Sequence, residues 1–355
     1  MTSRRGFLAA VGAAVTYPMS SWADVGSPAF ISAAKRRDGQ FVLVGLSARG
    51  ASLFEIALPG RGHAGAVHPS LPYAVAFARR PGTFALVIDC VRGKVARKLV
   101  APMGRHFYGH GVFSADGHML FTTENDYENA EGKIGVWDMR TGCRRVDEFS
   151  SGGVGPHDIS LMPDGQTLVV ANGGIETHPD SDRIKLNIPT MLPNLSYLST
   201  EGVSLEQTRL PQNLHKASIR HLSVRADGMV AIGCQWQGAE ARRPLLFQHK
   251  LGGALTKLHI TQANSDLQGY VGSVTFTKDG RTLFATSPRG NVAVLYNLNT
   301  QRTHRLHQAD VCGAAAGSEG VVLTAGNGVF VLVTADGIQA SIKTDYQWDN
   351  HLVAL

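Results

Sequence analysis

Pro156-His-Asp-Ile-Ser-Leu-Met-Pro-Asp-Gly-Gln-Thr-Leu-Val-Val170 is the stretch on which the fold turns. It reads as a short alternating strand, an Asp-Gly turn and a second apolar strand. Asp-Gly between two such runs is a strong hairpin signal, because glycine takes a positive φ without a Cβ clash. The same pattern starts at Gly109-His110, with its turn at Gly117. It recurs at Arg220-His221, with Gly228, and at Gly272-Ser273, with Gly280. A third strand such as Ile134–Asp138 follows, then a turn such as Arg140-Thr-Gly142 and a more polar fourth strand. Four antiparallel strands in sequence form one propeller blade.

Weaker copies surround these. Gly62-His63 opens one, with Tyr73–Ala78 and Thr83–Asp89 behind it. Cys312-Gly313 opens another, with Val321–Thr324 and Val329–Val333. Phe30–Ala33, Gln40–Gly45 and Ser52–Ala57 make an N-terminal blade. Trp348-Asp-Asn-His351 restarts the unit and stops at Leu355. A final strand that completes the first blade would close the sheet edges. The expected fold is therefore all-β, a seven-bladed β-propeller closed by the C-terminal strand. Six or eight blades, or an open sandwich, are the alternatives.

Length and composition agree. The chain has 355 residues, 43% of them hydrophobic and 17% charged, with 40 glycines. Residues 1–23 resemble a twin-arginine signal peptide: Arg4-Arg5, an apolar run Phe7–Val15 and small residues around Ser21-Trp22-Ala23. An ordinary export signal or an uncleaved anchor is the alternative. The expected mature domain is 24–355, periplasmic and with no membrane span. Removing Arg4 and Arg5 lowers the formal charge from +6 to +4. Arginine pairs are scattered, so no nucleic-acid partner is expected. Cys90, Cys143, Cys234 and Cys312 form no C-x-x-C pair, and spacing leaves a Cys90–Cys143 disulfide open.

Successive unit starts hold His63, His110, His157 and His221, then Ser273 and Cys312 or Gly313, then His351. Five of seven are histidine. From His63 to His110 and from His110 to His157 the step is 47 residues; from His157 to His221 it is 64. The extra length lies between Asn172 and Leu195, a polar, proline-rich loop. The loops sharing a face with these starts supply the expected ligand positions Arg79, Arg105, Glu124, Asp126, Gln235 and Arg289. Arg80, Asp182 and His178 lie in the same loops.

Neutral imidazole suits Fe, Cu and Zn. The metal candidates are His63, His106, His110, His157, His178, His221 and His351. A seven-bladed channel is expected to be too wide for five imidazoles to meet on one ion. His110 with His157 is the preferred pair, with His106 or His178 as a third ligand and Asp158 or Glu124 behind. A larger guest, such as a chelated metal, would span the five. Binding is expected above about pH 6.5, the ordinary histidine pKa. Structural histidines, each satisfied within its blade, are the competing reading.

Specific motifs then accumulate. Gly104-Arg-His-Phe-Tyr-Gly-His-Gly111, Thr122-Thr-Glu-Asn-Asp126, Gly155-Pro-His157, Asn172-Gly-Gly-Ile-Glu-Thr-His-Pro179, Ser218-Ile-Arg-His-Leu222, Gly269-Tyr-Val-Gly-Ser273, Ser287-Pro-Arg-Gly290, Asp310-Val-Cys-Gly313 and Trp348-Asp-Asn-His351 resemble the bacterial domain-of-unknown-function family 1513 over about 28–355. The resemblance implies a twin-arginine-exported, quinoprotein- or WD-like propeller. It also implies an association with iron acquisition, beside imelysin-like and di-haem oxidoreductase-like periplasmic partners. It carries no established activity and assigns no catalytic residue. A metal or metal-complex binding protein is the first functional reading. A lactonase-like hydrolase or an oxidoreductase, and a protein–protein scaffold, are the alternatives.

Overall fold

The computed structural model describes residues 20–79, 83–181, 184–240, 243–260 and 264–355. Arg4, Arg5, the run Phe7–Val15, Arg80 and Asp182 lie outside the described residues. Seven four-stranded antiparallel sheets make up the fold. Taken from the axis outward, blade 2 is Gly62–Val67, Tyr73–Ala78, Ala85–Asp89 and Lys94–Leu99. Blade 3 is Arg105–Phe113, Met119–Asp126, Glu131–Asp138 and Arg144–Ser150. Blade 4 is Pro156–Leu161, Thr167–Asn172, Asn194–Ser199 and Ser204–Arg209. The inner strands of blades 5, 6 and 7 are Ala217–Val224, Ser273–Phe276 and Val311–Ala316.

Blade 1 joins the two ends of the chain. Its inner strand, Tyr346–Ala354, pairs antiparallel with Phe30–Arg36 from Phe30↔Ala354 to Arg36↔Tyr346. The same strand packs against the inner strands of blades 7 and 2. The circle is thereby closed, with each blade a separate four-stranded sheet.

Two properties of the sequence produce this arrangement. The Asp-Gly turns deliver their glycines at φ +72° (Gly117), +71° (Gly165), +84° (Gly228) and +68° (Gly280), which L side chains adopt at a cost. The second and third strands are apolar on both faces because blades pack face to face. Val169, Tyr197, Ile232, Phe247, Leu283 and Val294 of three successive blades share one core. Outermost strands face water and are polar, as in the exposed Lys94–Lys98 run.

Residues 173–181 and 184–193 form the predicted loop, with two short 3-10 turns. Asn187 ties it internally, donating to the Gly174 carbonyl at 3.0 Å and accepting from the Glu176 amide at 2.8 Å. Asn125 of blade 3 donates to the Thr177 carbonyl at 3.1 Å. All four cysteines are free and buried, so the Cys90–Cys143 disulfide that spacing left open does not form. The two thiols belong to different core clusters. No helix among the described residues is long and apolar enough to cross a membrane.

Candidate functional site: a histidine plug in the channel

The inner strands begin on what we call the upper face. Near that start, pairing with the second strand shifts register in six blades: at 349–351, 63–64, 108–110, 157, 220 and 312. In blade 6 the pairing is regular from Ser273↔Thr286. A β-bulge bends its strand and re-aims a side chain. Five of the six shifts contain or adjoin a histidine, and the sixth holds Cys312. The bulges therefore turn His351, His63, His110, His157 and His221, from five consecutive blades, into the channel.

The five imidazoles meet. Neighbouring ring centroids are 4.6 Å apart for His351–His63, 5.1 Å for His63–His110, and 5.0 Å for both His110–His157 and His157–His221. Contacts also cross the channel, at 4.6 Å for His110–His351 and 5.1 Å for His221–His351. Strand bulges and imidazole length together bring the rings into contact with one another. The residues are at most 9% exposed, so they plug the channel and do not line an open mouth. Gly109 makes the approach possible. Its φ is +106°, and a Cβ there would sit 2.5 Å from His63 Cδ2.

Hydrogen bonds fix two tautomers. His157 Nδ1 lies 3.1 Å from the Arg220 carbonyl, which can only accept, so Nδ1 carries the proton. His110 Nδ1 faces Asp158 Oδ1 at 3.1 Å. Asp158 is itself anchored by the Ile159 amide at 2.8 Å and the Leu222 amide at 3.0 Å. An anchored carboxylate behind an imidazole orients the ring. His110 Nε2 then points inward with no protein partner. His63 Nδ1, His351 Nε2 and both nitrogens of His221 share that condition. Of nine such buried atoms among the described residues, five belong to this plug. One ring nitrogen from each of His63, His110 and His351 lies within 4.8 Å of the others. This trio, which His351 joins from across the channel, differs from the expected His110–His157 pair, whose rings lie 5.0 Å apart.

Burial sets the charge state. It lowers the His63 imidazole to about 4, although Asp349, with Oδ1 3.9 Å from Nδ1, pulls the other way. His157, His221 and His351 are also held well below 6.5, by burial first and then by nearby cations and neighbouring imidazoles. Neutral rings are the form that binds metal. The expected limit near pH 6.5 therefore moves down in the folded protein. Burial alone would raise the Asp349 carboxyl. His63, Arg79 and Arg61 outweigh it, and Asp349 is held well below the ordinary carboxylate range. Its oxygens accept from Arg61 Nε at 2.5 Å and Arg79 at 2.9 Å.

The remaining expected residues divide. Arg79 and Gln235 line a cavity of about 190 Å³ on the upper side of the plug. Arg289 stacks on Tyr270, which lines the same cavity, at 4.7 Å. Glu124 does not stand behind an imidazole. It is fully buried against Arg145, which donates at 2.7 and 2.9 Å, and it accepts from Thr122 at 3.0 Å. Asp126 and Arg105 form an ion pair at 3.6 Å, and Arg105 also bonds Glu148. His106 stacks between Tyr108 and Tyr127, and His178 packs edge-on to Tyr127. These two histidines form a separate group and do not supply a third ligand to the plug. Sequence reading missed Arg220, Lys185, Tyr108 and Tyr270 around the upper cavity. Arg220 carried the one available signal, its place beside His221 at a unit start.

The lower side of the plug opens to a larger cavity, about 480 Å³, walled by small residues such as Ala64, Gly65, Ala66, Ser160 and Ala315. The molecule thus belongs to the class of closed seven-bladed β-propellers, here with the channel blocked by imidazoles between two cavities. By sequence, residues 56–355 match the family described as "Protein of unknown function (DUF1513)", and the chain belongs to that family. No curated protein matches it. Among solved structures, Kuenenia stuttgartiensis hydrazine synthase is similar at 16% identity, with 93% of this chain and 98% of that chain covered and a TM-score of 0.57. Solved chains that match number 1111, so a likeness of this kind identifies the propeller and not its work.

Proposed function

We propose that this protein is a metal-binding protein. In this reading one transition-metal ion, Fe, Cu or Zn, sits among His63, His110 and His351. The observation that carries the reading is the set of buried imidazole nitrogens without protein partners, backed by the anchored Asp158. A buried polar group with no partner costs about 1–3 kcal/mol. An ion shared by His63, His110 and His351 removes the part of this penalty that those three residues carry. Tetrahedral nitrogens about 2.1 Å from an ion lie about 3.4 Å apart. From 4.8 Å or less, small rotations of these rings close that gap. Asp158 would hold His110 in the tautomer that presents Nε2. When bound, the ion supplies Lewis acidity or redox chemistry; the chain's own residues supply a dry, neutral nest.

Two further parts of the reading concern place. Arg4-Arg5 and the small residues near Ala23 support export to the periplasm by the twin-arginine route. The family resemblance supports a role beside iron-acquisition components.

The metal reading is tested by melting metal-free protein with and without one equivalent of Zn, Cu or Fe at pH 7. The melting temperature should rise for at least one metal. Asp158→Asn should weaken that metal's binding about 10–100-fold, the usual effect of removing such a partner. Equal melting with and without every metal would overturn the reading.

A further inference from the structure

The cavity on the upper side of the plug has a consistent charge. Its wall carries Arg79, Lys185 and Arg220 beside His63, His157 and His221, with neutral donors from Tyr108, Tyr270, Gln235 and Asn350. Among the described residues no carboxylate lines it. Asp349, 4% exposed, accepts hydrogen bonds from Arg61 and from Arg79 of the cavity wall. Two guanidiniums and one carboxylate in that group leave a net positive charge beside the cavity. Arg220 is 8% exposed, with its Nε on Ser218 Oγ at 2.9 Å. Lys185 reaches in from the long 173–193 loop and bonds Gln237. Two different blades and one loop therefore bring cations to one small, partly enclosed space, where charge attraction is stronger than in open water.

We propose that this cavity is a binding site for a small oxyanion, a carboxylate or a phosphate. Planar guanidiniums match the oxygen pairs of both groups, and an ammonium adds a point charge. The volume, about 190 Å³, equals roughly six waters of liquid. That space admits phosphate or a small polycarboxylate. The site stands beside the metal reading and does not rest on it, since all of its charged groups are present in the metal-free chain.

The test uses the metal-free full chain at pH 7.5 and low ionic strength. Sodium phosphate and sodium citrate are titrated separately by calorimetry, against sodium chloride at matched ionic strength. Saturable one-to-one binding of either anion is expected, with no saturable signal from chloride. Phosphate alone would mark the inorganic anion, and citrate alone the carboxylate. Lys185→Gln, on an exposed loop, and Arg79→Gln should each weaken binding tenfold or more. Lys278→Gln, which lines the lower cavity, should leave it unchanged. Three results would overturn the proposal: no saturable binding of either anion at millimolar concentration, unchanged affinity in Lys185→Gln, or loss of binding in Lys278→Gln.

Discussion

Gly109 shows how narrowly the plug is specified at the level of single residues. Its left-handed φ and the 2.5 Å approach to His63 leave no room for a methyl group. Gly109→Ala should cost about 1–3 kcal/mol, from backbone strain together with displacement of the His63 ring. Chemical denaturation of wild type and variant measures this directly, and equal stability would mean that the ring can move freely. Protonation gives a second reading. In the unfolded chain an imidazole takes a proton near pH 6.5. In the folded chain His63 does so only near pH 4, and His157, His221 and His351 are also depressed. Between those values the unfolded chain binds more protons, so acid favours unfolding. Stability of the metal-free protein should fall as pH drops from 6.5 toward 4, by up to about 1.4 kcal/mol per pH unit for each neutral ring. His221→Leu should flatten that slope. A wild-type melting temperature that is constant from pH 7 to pH 5 would contradict the neutral plug.

Strands and turns differ in how much of them the sequence exposes. Hairpins are local: Asp116-Gly117 and its three counterparts announce themselves within a dozen residues, and the structure places each turn there. The spacing between His157 and His221 likewise located the long loop. A bulge is a mismatch between two strands, and nothing in one strand alone records it. For that reason the sequence placed five histidines at the right blade positions but not at the axis. The same blindness misplaced Glu124. Read by strand position it belonged to the upper-face loops, yet Arg145, two strands away, takes both its oxygens. Glu124→Gln removes the charge from a buried pair and should destabilise the fold by about 3–5 kcal/mol. Its metal content should match wild type, because the carboxylate is not behind an imidazole. Loss of metal in a folded Glu124→Gln protein would place the residue back in the site.

At the scale of the molecule, the closing strand joins structure to site. Tyr346–Ala354 completes blade 1, packs against blades 7 and 2, and carries both His351 and Asp349. Deleting 346–355 removes the buried Trp348 and Leu352 and exposes the paired edge of Phe30–Arg36. The truncated chain should aggregate or melt far below the intact one; an unchanged, monomeric truncation would show that closure is not needed. One strand thus supplies the last piece of the fold and a ligand of the proposed centre. In the sequence this strand appeared as an unfinished repeat, and both of its roles follow from where that repeat must sit.

Metal content is the most direct test of the account. Natively folded protein is loaded with Fe, Cu or Zn at pH 7, dialysed, and assayed for bound metal beside His351→Ala and His110→Ala. The account predicts close to one equivalent retained by wild type for one of these metals, and loss of it in both folded variants. Wild type that keeps no metal, or variants that keep as much as wild type, would contradict it.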